Sequence, residues 1–171
     1  MIKEKFIEVC NFLSKNEKHS LIIEQIILPM RSSINFEQSK LYINDNAITL
    51  NLYSNKNSIP VIFVFWLEPS RITFFLKKDE ISDDFLFSEE AILNLMHFLK
   101  IILSSEIIEQ TYLNISGEII KKAYLYTISN NKKKKEEIID IVFRKFKGLK
   151  KTFKVVKKYE PWCSCLPEIN D

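Results

Sequence analysis

Apolar residues fall at every second position on both sides of the polar segment Asn44–Asn46. They are Leu41 and Ile43 before it, and Ile48, Leu50 and Leu52 after it. Because the side chains of a strand point alternately to its two faces, this spacing predicts a β-hairpin with one buried face. Asn and Asp tolerate the left-handed backbone region and therefore suit its turn.

A third strand is predicted at Val61–Leu67, where apolar residues occupy both faces. A strand that is apolar on both faces is normally interior, so this segment is the predicted central strand. Turn-forming residues follow at Glu68–Ser70, and Ile72, Phe74 and Leu76 then alternate along a fourth strand. The simplest arrangement of the four is a meander of sequential neighbours.

A long helix is predicted after Ser88, a favourable N-cap residue, with Glu89 and Glu90 in the first turn. Its apolar residues recur at spacings of three and four: Ile92, Leu95, Met96, Leu99, Ile102 and Leu103. The apolar run is shorter than the roughly 20 residues that cross a bilayer. This pattern predicts a core helix that packs on the sheet.

The flanking segments predict further elements. Helical spacing at the N-terminus predicts a first helix from Ile2 to Leu13, and the apolar run Leu21–Leu28 fits either a helix capped by Ser20 or a strand, of which we favour the helix. Downstream, alternation on both sides of Ser116-Gly117 predicts a second hairpin.

Two more elements are predicted near the C-terminus. Apolar residues from Ile138 to Phe146 predict a third helix that ends at Gly148, and Phe153–Val156 predicts a last edge strand. The fold class is therefore α+β, a single domain with a mainly antiparallel sheet packed by about three helices. We assign residues 1–160 to this domain and residues 161–171 to a C-terminal tail.

The composition and the motifs of the chain exclude several classes of enzyme. The chain contains two glycines, Gly117 and Gly148. Phosphate-binding loops and nucleophile elbows need residues that adopt a positive φ, which glycine does most readily. The sequence therefore offers almost no positions at which such loops could form. No Walker, Rossmann or zinc-protease motif occurs in the chain. We therefore expect a protein that is not an enzyme and uses no cofactor.

The number of cysteines and the N-terminal residues both bear on the cellular compartment of the protein. The chain has three cysteines, Cys10, Cys163 and Cys165. Because disulfides join cysteines in pairs, this odd number does not indicate a fold stabilised by disulfides. The first sixteen residues carry scattered charges and lack the apolar core of a signal peptide. We expect a cytoplasmic protein without a membrane partner.

Charge is distributed unevenly along the chain. Residues 132–158 carry twelve basic and three acidic side chains, a local charge of +9, whereas the whole chain carries +3. Carboxylates concentrate in the segment 79–90, where no Lys or Arg interrupts them. Such asymmetry bears on the choice of binding partners rather than on the fold.

The acidic segment is the first candidate site. Its proposed partner-binding residues mix carboxylates with aromatic rings, as protein interfaces do: Asp79, Glu80, Asp83, Asp84, Phe85 and Phe87. The segment lacks the spaced ligands and the central glycine of a calcium loop, so we predict no metal there. A solvated loop whose charges stabilise the following helix is the simpler alternative.

The basic segment is the second candidate site, for nucleic acid. Its lysines would contact phosphates, and two aromatic rings near its end would stack on bases. These residues are Lys132, Lys133, Lys134, Lys135, Lys150, Lys151, Tyr159 and Trp162. A lysine-rich, solvated face is the alternative interpretation.

Remaining reactive residues give weaker signals. Cys163 and Cys165 have a metal-like spacing, but a zinc site needs four ligands and only distant Cys10 and the two histidines remain. His97 is interpreted as a structural residue tucked into the long helix, and His19 as part of a loop and cap. The tyrosines of the second hairpin are interpreted as cross-strand pairs that stabilise the sheet.

The layout of residues 40–103 resembles small immunity proteins of bacterial contact-dependent toxin systems. The meander ends in Phe74-Phe75-Leu76-Lys77-Lys78-Asp79-Glu80, the acidic segment follows, and Glu89-Glu90-Ala91-Ile92 leads into Phe98-Leu99-Lys100. This resemblance implies a compact inhibitor without catalytic activity that binds a cognate toxin domain, often a nuclease with a basic cleft. No functional residue carries over by motif.

The leading hypothesis is a cytoplasmic, non-catalytic protein that neutralises a toxin through charge-complementary binding. The alternative is a nucleic-acid-binding protein that uses residues 132–158. A structural subunit that pairs through an exposed sheet edge is a third possibility.

Overall fold

The chain folds into two compact units, each built on an antiparallel sheet. The computed structural model describes residues 1, 3–80, 89–130, 133–142 and 153–162. Unit 1 holds the described residues up to Ser104 together with Trp162, and unit 2 holds those from Ser105 to Pro161. The predicted α+β class with mainly antiparallel sheet is confirmed. The assignment of residues 1–160 to one domain stays a prediction.

The sheet of unit 1 is the predicted meander, extended by one short strand. Its strands are β1 (Lys40–Ile43), β2 (Ala47–Leu52), β3 (Val61–Trp66), β4 (Arg71–Leu76) and β5 (Asp79–Glu80), and each pairs with the next. β3 is the middle strand, as its two apolar faces predict. Val61, Phe63 and Phe65 are buried on one face, while the other face is half-buried.

The β1–β2 turn is held by a side chain rather than by left-handed backbone. Asn44 Oδ1 accepts hydrogen bonds from the backbone N–H groups of Asn46 (2.9 Å) and Ala47 (2.7 Å). Among the described non-glycine residues, Lys77 has a positive φ, of 57°, and it lies in the β4–β5 turn. The expectation of left-handed residues in the Asn44–Asn46 turn is therefore wrong.

Helical elements pack against this sheet. They are α1 (Lys3–Leu13), α2 (Glu17–Ile22), a π-helical segment (Ile23–Ile27), a 3-10 segment (Pro29–Ser33) and α3 (Glu89–Ser104). The preference for helix in residues 21–28 is confirmed, but the cap is Asn16 rather than Ser20. All six apolar residues predicted to form the stripe of α3 are buried.

Unit 2 is a four-stranded sheet in the order β8-β7-β6-β9. Its strands are β6 (Ile107–Leu113), β7 (Ile119–Asn130), β8 (Lys133–Val142) and β9 (Phe153–Tyr159). The predicted second hairpin corresponds to β6 and β7, and its turn contains Gly117 at φ +80°, a conformation that favours glycine. The predicted edge strand corresponds to β9.

The third predicted helix is wrong over the residues that the structure describes. Residues 138–142 belong to β8, in which Ile138 pairs with Leu125 and Ile139 with Tyr124. Ile and Val are β-branched and lose side-chain freedom in a helix, so they favour a strand once a long neighbour such as β7 offers hydrogen bonds. The rest of the predicted helix and Gly148 lie outside the described residues.

Within the described ranges, no helix combines the length and the apolar character that crossing a membrane would require.

Candidate functional site

The acidic segment begins at a sheet edge. Asp79 and Glu80 form β5, which pairs with the end of β4 through Leu76 and Phe75. Asp79 is half-buried. Asp83, Asp84, Phe85 and Phe87 lie outside the described residues, so their role in partner binding stays a prediction.

The basic segment is divided between the two edges of unit 2. The backbone of Lys133–Lys135 lies in β8 at one edge, whereas Lys154, Lys157 and Lys158 lie in β9 at the other. Lys132, Lys150 and Lys151 lie outside the described residues. The described lysines of the basic segment therefore lie on two different strands, at opposite edges of the sheet.

The two aromatic rings assigned to base stacking are buried. Tyr159 is 3% exposed and donates its hydroxyl to Glu109 Oε2 at 2.8 Å. Trp162 is 1% exposed and donates its indole N–H to the carbonyl oxygen of Ile59 at 2.7 Å. Because stacking needs an exposed ring face, the interpretation of these two residues as stacking platforms is wrong.

Strand β9 presents an unusual surface. Every side chain from Phe153 to Lys158 is exposed. The apolar ones are exposed by 59% (Phe153), 53% (Val155) and 51% (Val156). Since alternate residues of a strand point to opposite faces, both faces of β9 combine an exposed apolar side chain with an exposed lysine.

The apolar surface continues from β9 onto the neighbouring strands. Phe153 pairs with Leu113, whose partner on β7 is Ile119, across a register shift between Tyr112 and Leu113. Three apolar residues therefore occupy neighbouring positions on three strands at this end of the sheet. Ile119 is 40% exposed, and Ile115 in the adjoining turn is 74% exposed. Contiguous exposed apolar side chains of this kind mark interaction surfaces.

The opposite face near the same end is covered by lysines. Lys121 Nζ and Lys154 Nζ lie 5.7 and 5.8 Å from the centre of the Tyr112 ring. Both distances fit cation–π contacts with this ring. Tyr124 and Tyr126 are buried. The hairpin tyrosines therefore pack within the sheet.

A buried carboxylate anchors the far end of β9. Glu109 is buried and, besides Tyr159, accepts a long hydrogen bond of 3.5 Å from the Thr111 hydroxyl. Burial, followed by the carboxylate of Glu109, raises the pKa of Tyr159 well above its ordinary range. The Tyr159 hydroxyl therefore stays protonated and remains a donor, which fixes this end of β9 to β6.

Unit 1 contains a polar cluster that the sequence did not reveal. His19 is 1% exposed, and its Nε2 lies 3.2 Å from the Ser70 hydroxyl. Ser70 Oγ is also 3.2 Å from Asn16 Oδ1, which accepts hydrogen bonds from the backbone N–H groups of Lys18 and His19 at the start of α2. The cluster ties the first turn of α2 to the β3–β4 turn.

A histidine beside a serine hydroxyl raises the question of nucleophilic catalysis. The crevice beside Ser70 has a volume of about 10 Å³, room for no more than about one water molecule. The larger cavity of about 230 Å³ is lined by His19 and by Leu13, Asn16 and Leu67, but not by Ser70. Among the described residues, the crevice at the Ser70 hydroxyl is too small for a substrate, and we interpret the cluster as structural.

The other predicted reactive residues are placed differently. His97 is exposed on α3, so its interpretation as a tucked residue is wrong. Cys10 is fully buried in α1. Cys163 and Cys165 lie outside the described residues, and within those residues no three His, Cys, Asp or Glu side chains gather as a metal site would require.

Comparison with protein-family models, with curated proteins and with solved structures finds no match to this chain.

Proposed function

We propose that the protein binds another protein and acts as an immunity-type inhibitor of a toxin domain. The observation that supports this proposal is the exposed strand β9, where Phe153, Val155 and Val156 are all more than half exposed. Fully burying side chains of this kind contributes about 1.5–3 kcal/mol each. Since the three side chains are a little over half exposed, a partner that covers this surface gains about half of that free energy for each of them.

Residues 79–87 of the acidic segment are the proposed contact with the basic cleft of the toxin. Its charge is opposite to that of a nuclease cleft, and opposite charges across an interface accelerate association and favour the correct partner. Asp79 lies at the edge of the sheet of unit 1, at the start of this segment.

Co-expression tests the proposal. The chain is produced together with the protein encoded by the adjacent reading frame, which the proposal requires to carry a toxin domain, and we expect cell survival and a stable complex. Replacing Asp83 and Asp84 by Lys should slow association and reduce its dependence on salt, because one partner's charges are reversed. Exchanging Glu37 and Asp45, carboxylates of unit 1 outside the segment, for Lys is the matched control. Cell death with the wild-type chain contradicts the proposal.

Nucleic-acid binding is the second candidate function, since Lys154, Lys157 and Lys158 are exposed on one strand. The burial of Tyr159 and Trp162 removes the stacking platforms on which the sequence argument relied. Binding to mixed RNA and DNA at two salt concentrations tests this candidate, because phosphate contacts give a steep loss of affinity with salt. No binding at low salt excludes it.

A further inference from the structure

We infer that β9 accepts an extended, acidic segment of the partner as an added strand, next to β9 in the sheet β8-β7-β6-β9. This inference deepens the proposed function, on which it rests, by naming the chemistry of the partner segment. It concerns β9 alone and is independent of the acidic segment 79–87.

The position of β9 is the first argument. β9 pairs with β6 over all seven of its residues and has no other neighbour among the described strands. The outer side of such a strand carries backbone N–H and C=O groups that can pair with another strand. Peptide recognition by strand addition uses these groups for affinity and the side-chain pattern for specificity.

The side chains of β9 are the second argument. Charged side chains commonly protect edge strands against pairing with other chains, and the lysines of β9 alone would provide that protection. Phe153, Val155 and Val156 add nothing to such protection, and all three are more than half exposed. Apolar residues between lysines instead suit a partner strand whose apolar residues face the valines and whose carboxylates face the lysines.

The same pattern disfavours a second copy of this chain as the occupant. Two copies of β9 paired antiparallel over their full length would set Lys154 of one copy opposite Lys158 of the other. Like charges directly opposite each other destabilise a strand pair. An acidic strand instead gains an attractive pair at each of Lys154, Lys157 and Lys158.

The attachment of β9 to its own sheet is the third argument. Ile107 pairs with Tyr159, and the hydrogen bond from Tyr159 to the buried Glu109 lies at the same end of the strand. The exposed residues 153–158 therefore project from an anchored strand. A strand whose extended conformation is already fixed loses less entropy when a partner pairs with it.

A peptide designed from the register tests the inference. Read antiparallel from Tyr159 to Phe153, the complementary sequence is Thr-Glu-Glu-Val-Val-Glu-Phe. Titration of the full-length protein with this peptide should change the backbone amide signals of residues 153–159 and slow their hydrogen exchange.

Two control peptides test the charge pattern and the backbone pairing. The peptide Thr-Lys-Lys-Val-Val-Lys-Phe should bind at least about tenfold more weakly than the acidic peptide. A version of the acidic peptide with methylated backbone nitrogens should lose binding, since strand addition needs its N–H groups.

Matched variants localise the site. Exchanging Lys154 and Lys157 for Glu should weaken the acidic peptide by about tenfold and improve binding of the lysine peptide. Exchanging Lys40 and Lys56, exposed lysines of unit 1, for Glu should change neither. Lys154 Nζ lies 5.8 Å from the centre of the Tyr112 ring, Lys157 Nζ lies 5.0 Å from that of Tyr159, and Lys157 pairs with Glu109. The fold of each variant is therefore checked by circular dichroism before binding is compared. The single variant Lys154→Glu, which leaves Lys157 opposite Glu109, keeps the test valid where the double variant does not fold.

Several outcomes would overturn the inference. They are signals that change away from β9, equal binding of the methylated peptide, displacement of the peptide by a single-stranded oligonucleotide, and dimerisation of the protein through β9. Protection from the toxin without peptide pairing at β9 rejects strand addition and leaves the proposed function standing. Peptide pairing without protection rejects the proposed function alone.

Discussion

The indole N–H of Trp162 donates a hydrogen bond of 2.7 Å to the carbonyl oxygen of Ile59, 103 positions earlier in the chain. The backbone N–H of Trp162 also donates to the carbonyl oxygen of Leu103, at the end of α3. Ile59 is fully buried. The residue that ends the described chain is thus part of the core of unit 1, although the sequence assigned it to a tail.

Trp162 should be important for stability. Replacing it by Ala should cost about 3–5 kcal/mol of unfolding free energy, because a large buried side chain leaves a cavity. Trp162→Phe should cost about 1–3 kcal/mol, since the buried carbonyl of Ile59 loses its donor. Urea unfolding measures both values. The half-buried Trp66 provides the control, and a Trp162→Ala variant as stable as the Trp66→Phe variant contradicts the assignment.

His19 should make stability depend on pH. Burial is the main cause that lowers the pKa of His19 from its ordinary value of 6.5. The backbone of Arg71 opposes this by a smaller amount, the charge of Lys18 lowers the pKa further, and the backbone of Trp66 has the smallest effect, an increase. Below pH 6.5 the unfolded chain takes up a proton that the folded chain does not, so stability falls as the pH falls. Well above pH 6.5, His19 makes no contribution to the pH dependence of the unfolding free energy.

The comparison of two variants isolates this effect. His19→Gln should remove a slope of up to about 1.4 kcal/mol per pH unit below pH 6.5. The chain has two histidines, and His97→Gln, at an exposed position, should keep the wild-type slope. Chemical unfolding between pH 5 and pH 8 measures it. Identical slopes for both variants would rule out a buried, neutral His19.

Cys10 should be chemically inert in the folded protein. Burial raises the pKa of its thiol to about 12, and the thiolate is the reactive form. Alkylation followed by peptide mapping should therefore label Cys10 in denaturant but not in the native state. Rapid native labelling of Cys10 would show that α1 opens or that its buried position is wrong.

Asn16 should stabilise unit 1 through the start of α2. Asn16→Ala should cost about 1–2 kcal/mol, because the N-cap acceptor for two backbone N–H groups is lost together with the contact to Ser70. Asn11→Ala, at an exposed position in α1, should change stability by less than about 0.5 kcal/mol. Equal effects of the two substitutions would contradict the cluster.

Local patterns predicted most of unit 1. Ile62 and Val64 make the second face of β3 apolar, which predicts a central strand, and the stripe of apolar residues in α3 predicts a core helix. Both signals depend on neighbours in sequence, which one chain displays directly. The same reasoning failed at residues 138–142, where the apolar spacing fits a helix and only the pairing with β7 decides for a strand.

The candidate site was less predictable because it depends on contacts distant in sequence. His19 and Ser70 are 51 positions apart, and Tyr159 and Glu109 are 50 apart. Nothing adjacent to these residues indicates their partners. The sequence predicts β9 in part, since Phe153, Val155 and Val156 indicate an edge strand that its lysines protect against aggregation. The exposure of Phe153 on this strand is visible only in the structure.

The most direct test of the account is calorimetric titration of the full-length protein with the protein encoded by the adjacent reading frame, which the proposed function requires to carry a toxin domain. We predict one-to-one binding that weakens as salt increases, weakens further when Lys154 and Lys157 are exchanged for Glu, and abolishes the activity of the toxin domain. Absence of binding, or unchanged toxin activity in a saturated complex, would contradict it.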